Sequence, residues 1–274
     1  MKRLTAILLG TLLTLTACGA LANALTVEFY DVGKADAMLI TTPQGTRILI
    51  DTATNKEGKA LAERFDRAGI TRIDVLIITH YDKDHVGGAD IILEELDVGQ
   101  VIMPTYDKES KQHTQFEEAL AAVEGVEEIR MGRAETRVFD LEPGVTFTVT
   151  SAHEAGYGED EENDFSLAVR LTYGDTRFFF TGDAENARQR ELLAEGNVAC
   201  DVLKVPYHGR LVSASERFLT EACPKIAYIT DGEEDPASEE LIGILERLGA
   251  QVFTSREDGD VTVVSDGKTV SVMK

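Results

Sequence analysis

The chain has 274 residues, with 49 Asp and Glu against 27 Lys and Arg and a net charge of −22. That length suits one large domain or two small ones, and the absence of repeats and of Pro/Gly/Ser-rich linkers favours one. A field of that sign argues against gripping duplex DNA through a broad basic surface, but it leaves phosphate chemistry open, because cations held in a cleft reverse the local potential.

Residues 1–24 open with Met1-Lys2-Arg3, continue through the apolar run LTAILLGTLLTLTA and end in small residues, the layout of an export signal. The apolar run is short for a membrane span, so no transmembrane segment is expected in the mature chain, 25–274. Two processing sites compete. Leu15-Thr16-Ala17-Cys18 resembles a bacterial lipobox, which would acylate Cys18 and anchor the protein in the cell envelope. Ala22-Asn23-Ala24 is an A-x-A site, which would release a periplasmic or secreted protein. Under either cut Cys200 and Cys223 remain, as a disulfide of an oxidising compartment or as two independent buried thiols.

The mature chain opens with strand patterns at TVEFY, DAMLI and RILI, followed by a helical pattern at GKALAERFDRAG. IDVLIIT reads as a buried strand and VGGADIILEEL as a helix. Between 100 and 135 the pattern is ambiguous, apart from an amphipathic helix at TQFEEALAAVEG. The second half predicts strands FSLAVRLTY and RFFFTG, helix ENARQRELLAEG, strand DVLKVPY, helix SASERFLTEA and strand KIAYIT. Helix SEELIGILERLG then leads into a closing hairpin around DGDVTVVSDGKTVSV. Two strand-first halves with interspersed helices predict two mixed sheets packed face to face with helices outside, an α/β architecture of αββα type.

Polar residues stand just past four apolar strands: Asp51, His80, Asp183 and His208. The carboxyl ends of strands are where α/β folds bind ligands, and the chain has only five histidines. The densest cluster is His80-Tyr81-Asp82-Lys83-Asp84-His85 before Gly87-Gly88. Extended backbone puts His80 and Asp82 on one side, with Asp84 and His85 at the turn beyond, so that two adjacent ions would each receive an imidazole and a carboxylate. The glycines would let backbone pass close by. Imidazole–carboxylate sets suit zinc or manganese. Asp183 is the candidate bridge between the ions, or else a helix N-cap, and His208 would complete the ligand set of the second ion.

The segments YDVGKADAMLI, ILIDTAT, THYDKDHVGG, NDFSLAVRL, FFFTGDAE and LKVPYHGR, in this order, resemble the metallo-β-lactamase-fold domain of the ComEC-type competence proteins and their free-standing relatives. The resemblance implies a metallo-β-lactamase-like αββα sandwich and a dinuclear hydrolase, zinc being the first expectation and manganese the alternative. Asp82 matches the family's Asp where classical metallo-β-lactamases carry a second histidine. Asp31, Asp36, Asn163 and Ser166 match motif positions expected to support the site or touch substrate, or else to cap turns. The pattern departs in three places: the family's DVGQGD reads DVGKAD, its HHGS reads Tyr207-His208-Gly209-Arg210, and the third histidine of classical relatives has no clear counterpart, only His153 lying near the right region. His153 and His113 read as loop residues.

The resulting expectation is a phosphodiesterase or nuclease that uses a metal-bound hydroxide, on single-stranded DNA or a small phosphodiester. Asp84 would orient the nucleophile, and His208, Tyr207, Arg210 or Lys204 would contact the phosphate or leaving oxygen. Asp51 belongs to the supporting set, and no obligate protein partner is implied. The alternatives are cleavage of another ester, a lactone or a phospholipid headgroup, and a degenerate envelope binding protein that has lost catalysis.

Overall fold

The computed structural model describes residues 24–273 apart from 155 and 158–161. The leader, Cys18 and both processing sites' cleavage motifs lie outside or at the edge of the described residues. Among the described residues no helix is long and apolar enough to cross a membrane.

The first sheet runs, edge to edge, through Val270–Met273 (β15), Val261–Ser265 (β14), Leu25–Phe29 (β1), Met38–Thr41 (β2), Arg47–Ile50 (β3), Arg72–Ile77 (β4), Asp97–Pro104 (β5) and Glu127–Met131 (β6). The second runs through Gln251–Thr254 (β13), Ile226–Ile229 (β12), Val202–Lys204 (β11), Thr176–Phe180 (β10), Ala168–Tyr173 (β9), Val145–Thr150 (β8) and Thr136–Glu142 (β7). The block β3–β6 is parallel, as is the block β10–β13, while antiparallel strands complete each sheet, β1 pairing with β14 from the far end of the chain. The parallel strands are the continuous apolar runs RILI, DVLIIT, FFF and IAYI, because they are covered on both faces.

Three apolar clusters fix the layering. Val27, Phe29, Ile50, Ile77, Phe147, Phe178, Phe180 and Tyr228 fill the space between the sheets. Helices Asn55–Arg67 (α1), Ala89–Glu95 (α2) and Lys111–Ala122 (α3) cover the outer face of the first sheet through Leu61, Phe65, Ile92, Leu93 and Phe116. Helices Asn186–Glu195 (α4), Ser215–Ala222 (α5) and Glu239–Arg247 (α6) cover the second through Leu192, Phe218, Leu241 and Leu245. The result is the expected αββα sandwich, in which each fully buried large apolar side chain contributes about 1.5–3 kcal/mol of transfer free energy.

The ambiguous stretch between 100 and 135 holds β5, α3 and β6. The sequence EEIRM of β6 buries only Ile129 and Met131, since it is an edge strand, and so carries little period. A further departure follows α6, where β13 and the short helix Ser255–Asp258 (α7) precede the closing hairpin. Both described cysteines are free thiols, Cys200 half-buried and Cys223 exposed, so the second is not the buried thiol one alternative required.

Gly87-Gly88 bring backbone together as expected. A Cβ on Gly88 would lie 2.4 Å from Thr52 O and 2.6 Å from Gly58 Cα, and one on Gly87 would lie 2.2 Å from Lys83 O. Only glycine lets the start of α2 cross α1 this closely, and this crossing seats the 80–85 segment over the strand ends.

Candidate metal centre

The carboxyl ends of the two parallel blocks meet at one rim. Past β3 stands Asp51, past β4 His80 to His85, past β10 Asp183, past β11 His208 and past β12 Thr230-Asp231. Backbone bonds weld these turns together: Asp36 N donates to Asp84 O (3.0 Å), Thr52 N to His85 O (2.8 Å), Leu167 N to Thr79 O (2.9 Å) and Val205 N to Tyr228 O (2.9 Å). Asp51, Tyr207 and His208 have φ of 57°, 52° and 50°, left-handed conformations that cost a non-glycine residue energy and persist where surrounding structure enforces them.

His80, His85 and His208 are buried, and the hydrogen bonds of their Nδ1 atoms set their tautomers. His85 Nδ1 lies 2.8 Å from Asp51 Oδ2, and His208 Nδ1 lies 2.7 Å from the Thr230 carbonyl, acceptors that require Nδ1–H. The Thr79 hydroxyl donates to Asp51 Oδ2 (2.7 Å), so it accepts from His80 Nδ1 at 3.1 Å. In its neutral form each imidazole therefore presents the Nε2 lone pair. All three Nε2 atoms are buried without a hydrogen-bond partner.

Carboxylates face two of these nitrogens. Asp183 Oδ2 lies 2.9 Å from His208 Nε2 and 3.4 Å from His85 Nε2, outside hydrogen-bond geometry, and Asp84 Oδ2 lies 3.6 Å from His208 Nε2. The His80 and His85 rings are 4.0 Å apart. A set of buried imidazoles and carboxylates converging with unused lone pairs fits a divalent cation of zinc or manganese type. Ligand atoms of Asp36, His85, Asp183 and His208 all lie within 4.8 Å of one another. Asp36, however, faces the Nδ1 side of the imidazoles, at 3.7 Å from His85 and 3.8 Å from His208, and Lys204 Nζ holds it at 2.6 Å. Its place is beneath the donors, where Thr230 Oγ1 also donates to it (2.7 Å).

Charge follows this geometry. Burial and then the neighbouring His85 push His80 down to about 4. Burial acts the same way on His85, but Asp183, Asp36 and Asp51 outweigh it and hold His85 well above its ordinary value; Asp183 and Asp84 likewise raise His208. Burial alone would raise Asp84, yet His208 and His85 bring it well below the carboxylate range. Asp183 is lowered too, by His208, His85 and Lys204 against its burial.

The remaining expected residues divide by position. Asp82 lines the same cleft as Asp84 and Asp183 and is paired with Lys108, which also pairs with Glu162. Lys204, read as a phosphate contact, is fully buried and bridges Asp36 and Asp183 (3.4 Å), so it fixes carboxylates and does not meet substrate. Ser166 Oγ accepts from Asp183 N (3.0 Å), and Asn163 Nδ2 donates to Glu185 Oε1 (2.7 Å). Asp31 is exposed and caps a turn, accepting from Gly33 N (3.1 Å). Asp183 is not the N-cap of α4; Asp164, missed in the sequence, accepts from Glu185 N, Ala187 N and Arg188 N. His153 sits in a loop against Glu195, whereas His113 lies in the first turn of α3, stacked on Tyr81.

Above the donors opens a cleft of about 390 Å³ lined by Asp82, Asp84, Asp183, Asn163, Tyr207 and Arg210, together with Lys34, Lys83 and Lys108. Sequence reading also missed Thr79 and Thr230, although Thr230 carried the signal used for the others, a polar residue directly after the apolar strand IAYI.

The family model described as the metallo-beta-lactamase superfamily matches residues 30–229. ComE operon protein 3 of Bacillus subtilis is 27% identical over 257 residues, 86% of this chain and 32% of that protein. Recombination protein 2 of Haemophilus influenzae is 30% identical over 228 residues, 81% of this chain and 26% of that protein. The chain thus spans a third or less of these relatives, which are ComEC-type competence proteins. In fold it is similar to the metallo-beta-lactamase fold protein YhfI of Bacillus subtilis, with TM-score 0.57, 13% identity and coverage of 86% of this chain and 98% of that one. It is likewise similar to CmlA, a diiron beta-hydroxylase of Streptomyces venezuelae, with TM-score 0.55, 15% identity and coverage of 87% and 53%. With the matched residues spanning every strand end that supplies a donor, the chain belongs to the metallo-β-lactamase superfamily of metal-dependent hydrolases.

Proposed function

We propose that the chain is an exported phosphodiesterase that uses two divalent ions, zinc first and manganese second, to cut a single DNA strand or a small phosphodiester. The observation that carries this reading is the convergence of the His85 and His208 Nε2 atoms on Asp183 beneath an open cleft, with the unpartnered His80 Nε2 on the ring beside His85. The name of one relative, Recombination protein 2, supports a nucleic-acid substrate. The leader pattern supports export, by lipid anchoring at Cys18 or by cleavage after Ala24.

His85, His208, Asp84 and Asp183 would hold one ion, and His80, Asp183 and Asp82, once released from Lys108, the other. Bound there, the ions supply Lewis acidity toward a phosphoryl oxygen and an acidified water. The protein's own groups do the rest. Asp51, Thr230 and Thr79 keep the imidazoles in one tautomer and orientation, and Lys204 keeps Asp183 ionised. Asp84, the most exposed of the facing carboxylates and strongly ionised, accepts a hydrogen bond from the attacking water and aims it. The Arg210 fork and the Tyr207 hydroxyl at the cleft wall suit phosphate oxygens.

Protein loaded with zinc or manganese should be offered bis(p-nitrophenyl) phosphate, single-stranded DNA and a chromogenic cephalosporin. Turnover of the first two is expected. No turnover of any phosphodiester with either metal overturns the reading.

A further inference from the structure

Cations are scarce in this chain, yet Lys34, Lys83, Lys108 and Arg210 all line the cleft over the donor cluster. Two of them are linked from distant parts of the chain. Lys34 Nζ lies 3.4 Å from Asp84 Oδ2 and 3.9 Å from Asp235 Oδ2, and Arg210 pairs with the same Asp235 oxygen. Starting at His208, a line of alternating charge thus leads outward: His208 to Asp84 (3.6 Å), Asp84 to Lys34, Lys34 to Asp235, Asp235 to Arg210.

This arrangement places the two cations at different depths. Lys34 stands one ion pair out from the donors, next to the place of a phosphate held over them. Arg210 stands two ion pairs further out, tethered by Asp235 and by a hydrogen bond to Tyr207 Oη (3.2 Å). Its guanidinium has five N–H donors and these partners use two, leaving donors for an anion at the mouth. The side chain is 43% exposed and that of Lys34 29%, so both reach solvent. A strongly acidic surface would repel a polyanion, and a pair of cations spaced along the cleft counters that repulsion locally.

We propose that Lys34 and Arg210, aligned by Asp235, bind a second phosphate adjacent to the scissile one, so that the preferred substrate carries at least two phosphates. The proposal rests on the phosphodiesterase reading and names the substrate class of that site. Two sources share this chemistry: an internal phosphate further along a strand, and a terminal phosphomonoester on a dinucleotide.

The test uses the metal-loaded protein with dithymidylate, dithymidylate carrying a 5′-terminal phosphate, and tetrathymidylate. The second phosphate is expected to lower KM by roughly tenfold with little change in kcat, the scale of one charge-assisted contact. In Lys34→Ala and in Arg210→Ala that advantage should fall to about twofold or less, and Arg210→Lys should regain part of it. Damage to the fold alone would shift KM for all substrates together and leave their ratio standing. The KM for tetrathymidylate should also rise with salt, and each variant should lose about one charge's worth of that slope. Stronger preference for tetrathymidylate identifies a strand, and stronger preference for the terminally phosphorylated dinucleotide identifies a nucleotide end. Equal KM for substrates with one and two phosphates, or a ratio that survives both substitutions combined, overturns the proposal while leaving the phosphodiesterase reading intact. If no phosphodiester turns over, the functional reading has failed instead. Equilibrium binding of fluorescent one- and two-phosphate dinucleotides to zinc-loaded protein then still reads the clamp on its own.

Discussion

Asp51 Oδ2 accepts a hydrogen bond from His85 Nδ1 at 2.8 Å, with both side chains wholly buried and Asp51 in a left-handed backbone conformation. The same carboxylate accepts from Thr79 N (2.8 Å) and from the Thr79 hydroxyl, whose oxygen in turn orients His80. One carboxylate therefore sets two imidazoles, and its strained backbone is held by the strand end on one side and the α1–α2 crossing on the other.

Asp51→Asn should lower metal affinity by about 10–100-fold while the protein stays folded, because an amide can present N–H to His85 and reverse the tautomer. Zinc competition against a chelating dye, beside circular dichroism, checks this. Wild-type affinity in a folded variant would show that the hydrogen bond does not tune the site.

Metal binding should release protons. In the metal-free cluster His85 and His208 are raised, so they hold protons near neutrality that an ion must displace, whereas His80 at about 4 is already neutral. Affinity should therefore fall as pH drops, by between one and two log units per pH unit on the acid side of the raised values. Calorimetric titration in buffers of different ionisation enthalpy counts the protons. A proton count of zero at pH 7 would contradict the raised values.

Removing metal should lower thermal stability as well as activity. An ion at 100 times its dissociation constant stabilises the folded state by about 2.7 kcal/mol, or roughly 5–10 °C for a chain of this size. A melting curve unchanged between chelated and zinc-supplemented protein would mean that the Nε2 cluster binds no ion.

Gly88→Ala should destabilise by about 1–3 kcal/mol, since its Cβ would strike the Thr52 carbonyl and the Gly58 backbone. Gly45→Ala, whose Cβ meets nothing, carries only the cost of its positive φ of 90° and serves as the comparison. A denaturant titration in which both variants melt together would show that the α1–α2 crossing is not close-packed.

The strands and helices of both halves were legible in the sequence because their apolar runs are long and bounded by turn residues, as in DVLIIT and FFFTG. Apart from its helix, the stretch from 100 to 135 was not, because an edge strand such as EEIRM of β6 buries too little to show a period; TRVFDLE of β7, at the edge of the other sheet with Val138 62% exposed, went unread for the same reason. Of the site, Asp51, His80, Asp183 and His208 could be read from their positions just past apolar strands, and His85 from the dense cluster that starts at His80, both purely local signals.

Which groups touch which was a different matter. That Lys204 lies under Asp183 and not in the cleft, that Asp82 pairs with Lys108, and that Asp164 rather than Asp183 caps α4 all depend on elements far apart in the chain. Lys34 and Arg210 are 176 positions apart, and neither belongs to a pattern that would link them; they meet at Asp235 because the strand ends of two stacked sheets open at one rim. Sequence determined the elements and the donor types, since local period and side-chain chemistry are properties of short segments. Tertiary structure decided the direction of each lone pair and charge, since that is set by how the two sheets stack.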